Sequence, residues 1–159
     1  MAFQPIIRAD GKGIAFFEGL IRVLDETGRV IPAREFMGAV EDTDIGRQID
    51  CASLRIGLET LKANPGLRLS INMSARSVGY PRWMQTLRSF MRNHPTVLER
   101  LILEITESSA MKMPEIVAIF MEDLQDKGIT FALDDFGAGY TAFRHLKSCL
   151  LYTSPSPRD

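Results

Sequence analysis

From residue 67 onward, short apolar runs alternate with longer segments whose apolar residues recur every three or four positions. The runs are "LRLSINMS" (67–74), "ERLILEITE" (99–107) and "TFALDDFGAGY" (130–140). Between them, "WMQTLRSFMRNH" after Pro81 reads as a helix stopped before Pro95. A second helix is expected from Pro114 to Lys127, with Gly128 as its stop. A last helix is expected to begin near Thr141. The strands are largely apolar rather than alternating, as strands buried on both faces are. Strand, helix, strand, helix, strand, helix is a run of βα units, so the pattern predicts an α/β fold with a parallel sheet or (β/α) barrel.

The first part of the chain is less regular. "FQPII" (3–7) reads as a short strand, "RADGKG" (8–13) as a turn and "IAFFEGLIRV" (14–23) as a longer strand. "LDETGRVIP" (24–32) reads as a loop, and Ala33 to Glu41 as a helix. A longer helix is expected from Asp44 to Lys62, where Ile45, Ile49, Leu54, Leu58 and Leu61 lie near helical spacing. Asn64-Pro65-Gly66 ends it.

The polar residues give this scaffold a candidate chemistry. Glu18 sits in the second strand, Asn72 follows Ser70-Ile71, Glu104 follows Ile102-Leu103, and Asp134-Asp135 follow Leu133. In a parallel barrel the C-terminal strand ends share one face, where active sites form. Four carboxylates and an amide would meet there, a hard oxygen set suited to Mg²⁺ or Mn²⁺. Taken singly, each has a bland reading: a carboxylate at a strand end is usually a helix cap or solvated, and Asn72 would serve equally as a turn cap. The joint occurrence points to a metal-dependent site. His94, near a helix end, reads as structural, and Cys51 as a small packing group.

Composition narrows the partners. The formal net charge of −1 gives no general attraction to nucleic acid polymers or anionic membranes. No apolar run is long enough to span a membrane, and "MAFQPIIRAD" lacks the pattern of a signal peptide. Cys51 and Cys149 make neither a disulfide framework nor a CxxC pair, so a reducing cytoplasm is the expected setting.

Six motifs then occur in an order that resembles the EAL-domain family of bacterial cyclic di-GMP phosphodiesterases: "FQPI" (3–6), "FEGLIR" (17–22), "IPAREFM" (31–37), "INMSA" (71–75), "LEITES" (103–108) and "LDDFGAGY" (133–140). Gly19 stands where the family motif has alanine. The resemblance implies a TIM-like (β/α)8 barrel, of which this chain holds roughly the first five strands. It implies metal ligation by Glu18, Asn72, Glu104 and Asp134, with Asp134 shared with a second ion that Asp135 also binds. It implies substrate contacts from Gln4 and Arg22, the arginine to a phosphate. Glu107 would hold the "DDFGAGY" loop, which Gly137 and Gly139 let turn sharply. The activity implied is two-metal hydrolysis of cyclic di-GMP to linear pGpG. A homodimer of the full-length protein is left open.

The chain also departs from the family. It lacks the later lysine, glutamate and glutamine motifs, and Lys147 falls too early to be the missing lysine. The 159 residues alone are therefore expected to be inactive, with two sheet edges open and one face of each strand uncovered. A degenerate domain that binds cyclic di-GMP or a protein partner without hydrolysis is the alternative for the parent. The expected domain is 1–148. "CLLYTSPSPRD" (149–159) has no family counterpart and resembles a translated sequencing adapter, so 149–159 reads as a non-native tail. The other reading is a native disordered tail, for which Ser154-Pro155-Ser156-Pro157 is suitable composition. Sequencing the gene tests this: codons 149–159 should match adapter sequence, and a different codon series overturns the assignment.

Overall fold

The computed structural model describes residues 1–134 and the backbone of 151–153. Asp135, Gly137, Gly139, His145, Lys147 and the expected last helix lie outside the described residues. One sheet organises the chain, with its strands in the order β1-β2-β5-β6-β7-β8. β1 is Ala2–Ile7, β2 is Ile14–Leu20 and β5 is Leu69–Asn72. β6 is Leu101–Thr106, β7 is Thr130–Asp134 and β8 is Leu151–Thr153. β1 runs antiparallel to β2, as the short turn between them permits. Every other neighbour pair is parallel. This is the expected α/β architecture.

Two expected segments divide. The strand expected over 14–23 ends at Leu20, and Arg22 starts β3, Arg22–Leu24. β3 pairs antiparallel with β4, Val30–Pro32, so the expected loop 24–32 is largely a hairpin. Its turn is built by Asp25, whose Oδ1 accepts from the Thr27 and Arg29 N–H groups at 2.8 and 2.9 Å. Gly28, at φ +84°, supplies the left-handed residue that the turn needs. Likewise, the strand expected over 99–107 stops at Thr106. The Thr106 hydroxyl caps a short helix, α5, Glu107–Ala110, by accepting from the Ser109 N–H at 3.2 Å.

The expected helix over 33–41 is a 3-10 turn, Ala33–Glu35, followed by α1, Met37–Val40. The long helix α2, Asp44–Ala63, begins at a Thr43 cap. Its Leu54, Leu58 and Leu61 are fully buried, whereas Ile45, in the first turn, is exposed. α3 is Pro81–Asn93, α4 is Pro95–Leu98 and α6 is Pro114–Gln125, each with proline in its first turn. Among the described residues no helix is long and apolar enough to cross a membrane.

The helices cover one face of the sheet. Leu69, Ile71, Leu101, Leu103, Ile105, Phe131 and Leu133 pack there with the α2 leucines, Trp83 and Leu87 of α3, and Val117 and Phe120 of α6. Phe120 stands 5.7 Å from Trp83 and 5.9 Å, edge on, from Phe131. A Cβ on Gly57 would come within 3.1 Å of Ile71 Cγ2, so this glycine lets α2 lie close on β5. β5 and β6 are buried except at their last residues, β7 except at its two end residues, and β1 is the more open strand. The uncovered face expected on every strand is therefore not found on these three.

Arg100, just before β6, ties the end of α2 to the sheet. Its guanidinium donates to the Leu61, Asn64 and Leu67 carbonyls at 2.9, 2.8 and 3.0 Å. A cation is favoured there by both the carbonyls at the helix end and the helix dipole. Arg100→Ala should lower unfolding free energy by about 2 kcal/mol in urea titrations. Arg100→Lys should recover little, because an ammonium lacks the planar fork that reaches three carbonyls.

Candidate functional site

Side chains two apart on a strand share a face, and directly paired residues of neighbouring strands do too. The register therefore sorts the sheet's polar residues. Gln4 pairs with Glu18, Glu18 with Ser70, Asn72 with Glu104, and Thr106 with Asp134. All lie on the face opposite the helices, together with Ile102 and Ala132. Each of β2, β5, β6 and β7 delivers one metal-ligand candidate to this face, and β1 delivers Gln4.

The groups are close enough to feel one another. Asn72 Nδ2 donates to Glu18 Oε1 at 3.2 Å. Burial raises the pKa of Glu18, the Asn72 hydrogen bond offsets part of that, the Asp134 charge adds to it, and Arg22 offsets part again. Glu104 is only 7% exposed. Burial, then repulsion from Glu18, push its pKa from 4.5 up to about 7; the adjacent Ser70 hydroxyl opposes this, and Asp134 contributes further repulsion. Among the described residues, Ser70 Oγ closes no hydrogen bond of full geometry. Arg22 is half-buried, and its Nη1 donates to the Ile21 carbonyl at 2.9 Å. Glu107 is buried at the first position of α5; the loop it is expected to hold lies outside the described residues.

Among the described residues, no three Asp, Glu, His or Cys side chains stand grouped to hold one ion as they are. The donor chemistry fits a hard divalent cation: Glu18, Glu104 and Asp134 supply carboxylate oxygens, and Asn72 a carboxamide oxygen on a side chain whose nitrogen is turned to Glu18. A buried carboxyl repelled by two others is the environment that a cation relieves.

A second polar cluster lies behind this face and is absent from the sequence reading. Asp50 of α2 is buried and accepts from the Ser74 N–H at 2.9 Å and the Ser77 hydroxyl at 2.6 Å. Ala75 N–H donates to Ser109 Oγ at 2.9 Å. The available signal is helical spacing: Asp50 stands four residues before Leu54, within the apolar stripe of α2.

The family model for the EAL domain matches residues 1–149. The chain belongs to the EAL-domain family. It is 28% identical to the cyclic di-GMP phosphodiesterase PdeF of Escherichia coli, over 91% of this chain and 20% of that protein. It is also 28% identical to the cyclic di-GMP phosphodiesterase PdeA of Borreliella burgdorferi, over 82% of this chain and 20% of that protein. The chain thus spans about a fifth of these relatives. Among solved structures it resembles the PaMucR phosphodiesterase in its c-di-GMP complex, with a TM-score of 0.73 at 25% identity, covering 94% of this chain and 62% of that one. The EAL-domain protein of Listeria monocytogenes gives 0.73 at 25% identity, over 94% and 59%.

Because Glu104 has a raised pKa when folded, its protonated form favours the native state. That contribution is fully present below pH 4.5 and is lost as pH rises through about 7. In chelator, Glu104→Gln should therefore stabilise the chain at pH 8, on the order of 2 kcal/mol, and change little at pH 4. Thermal melts at the two pH values check this; equal shifts would contradict the assigned environment.

Proposed function

We propose that the complete protein is a metal-dependent phosphodiesterase that hydrolyses cyclic di-GMP to linear pGpG, and that these 159 residues alone are inactive. The observation that carries the reading is the convergence of Glu18, Asn72, Glu104 and Asp134, from four neighbouring strands, on one sheet face. The relatives named as cyclic di-GMP phosphodiesterases support the choice of substrate.

Glu18, Asn72, Glu104 and Asp134 would hold Mg²⁺ or Mn²⁺, with Asp135 completing a second site. The bound ions would lower the pKa of the attacking water and offset charge on the phosphodiester. Asn72 would turn its oxygen inward while its nitrogen stays on Glu18. Gln4, beside Glu18 in the register, would meet the nucleotide, and Arg22 a non-bridging phosphate oxygen. Glu107 would keep the loop after β7 in place. The residue that takes up the proton is not among these and belongs to the missing later strands.

The test is turnover of cyclic di-GMP by the full-length protein with Mn²⁺ or Mg²⁺. Glu18→Ala should lower kcat/KM by more than the ~10–100-fold typical of an outer partner of a metal ligand. Unchanged turnover would remove Glu18 from the site. Binding of cyclic di-GMP without any hydrolysis would replace the enzyme reading with that of a binding module.

A further inference from the structure

Asp50 is an expensive residue where it stands. It is 5% exposed, and burial pushes its pKa up to about 6. No cation is among the groups that shift it. A buried carboxyl is retained only when its hydrogen bonds are supplied, and both of its hydrogen bonds come from the turn after β5. The Ser74 N–H and the Ser77 hydroxyl donate to the same oxygen, Oδ2, at 2.9 and 2.6 Å. Ser74 lies two residues beyond Asn72. The Ser74 hydroxyl in turn accepts from the Arg76 N–H at 3.2 Å and starts the 3-10 turn Ala75–Ser77.

The same turn is gripped from the other side. Ala75 N–H donates to Ser109 of α5, and α5 is capped by Thr106, two residues beyond Glu104. Asn72, Asp50, Ser74 and Ser109 all border one cavity of about 210 Å³. Beside such a space, a turn without these bonds has room to shift, and a shift of Ser74 moves Asn72 with it.

We propose that Asp50 is a positioning residue: from α2 it clamps the turn after β5 and so aims the Asn72 carboxamide at Glu18. Its role in metal binding rests on the reading of Asn72 as a ligand given above. The clamp itself does not.

Two measurements on the 159-residue chain test it. The first is the ¹⁵N side-chain amide signal of Asn72 without metal, identified by its loss in Asn72→Asp. Asp50→Ala should shift and broaden that signal. Asp50→Asn, which keeps an acceptor oxygen, should restore it, and Ser77→Ala should fall between. The second is Mn²⁺ affinity, which Asp50→Ala should weaken by ~10-fold or more, as loss of a ligand's outer partner does. In an Asn72→Ala background, Asp50→Ala should cause no further loss, because the two act as a unit.

An Asn72 signal unmoved in both Asp50→Ala and Ser77→Ala overturns the clamp. So does a loss of Mn²⁺ affinity that is undiminished in the Asn72→Ala background. If the unaltered chain, without the later strands, binds no Mn²⁺, the side-chain signal alone decides the clamp, and the metal reading is decided by turnover of the full-length protein. Ser77→Ala carries the comparison if Asp50→Ala does not fold.

Discussion

Repulsion among Glu18, Glu104 and Asp134 on one face of a sheet is the constraint around which the molecule is arranged. Three carboxyls on one face, Glu104 buried and Glu18 and Asp134 half-buried, do not favour folding: burial and mutual repulsion raise the pKa values of Glu18 and Glu104. The cohesion must come from elsewhere. It comes from the opposite face, where Leu69, Ile71, Leu103, Ile105, Phe131 and Leu133 meet the helices. A strand's two-residue period makes this division possible: one strand serves the core with alternate residues and the site with the others.

Holding the repelled groups in place then falls to the segments that follow the strands. After β5, Asp50 and Ser109 secure the turn from two directions. After β6, Thr106 ends the strand and starts α5 within one residue, which places Glu107 next to the strand end. After β2, the chain leaves the main sheet at Ile21 and enters the β3–β4 hairpin, which sets Arg22 near Glu18. These connections are short, and short connections transmit the position of a strand end to the side chains just beyond it.

The parts legible in the sequence are those governed by local chemistry. Asn72, Glu104 and Asp134 stand out because each interrupts an apolar strand near its end. α2, α3 and α6 follow from helical spacing and proline. The parts not legible depend on partners far along the chain or on balances within a few residues. The β3–β4 hairpin has strands of three residues and a turn rich in polar groups, which is loop composition. Asp50 has its partners 24 and 27 residues away, and a single acid on a long helix ordinarily reads as surface charge. The apparent lack of alternation in β5 to β7 is a related case. Ser70, Ile102 and Ala132 are small or apolar yet belong to the site face, so the pattern of polarity hides the pattern of facing.

The same division bears on the far edge of the sheet. β7 carries Asp134 at its end and would offer an unpaired ladder if nothing followed. Leu151–Thr153 fills that ladder, Phe131 opposite Leu151 and Leu133 opposite Thr153. Ladder hydrogen bonds are made by main chain, so an open edge accepts an extended segment whatever its side chains. Pairing at this edge therefore satisfies the backbone of β7 through main-chain groups alone. For this chain, backbone and side chains do separate work at β7: main-chain pairing with Leu151–Thr153 closes the edge, whereas the polar face is set by the side chains that β5, β6 and β7 carry at their ends, Asn72, Glu104 and Asp134.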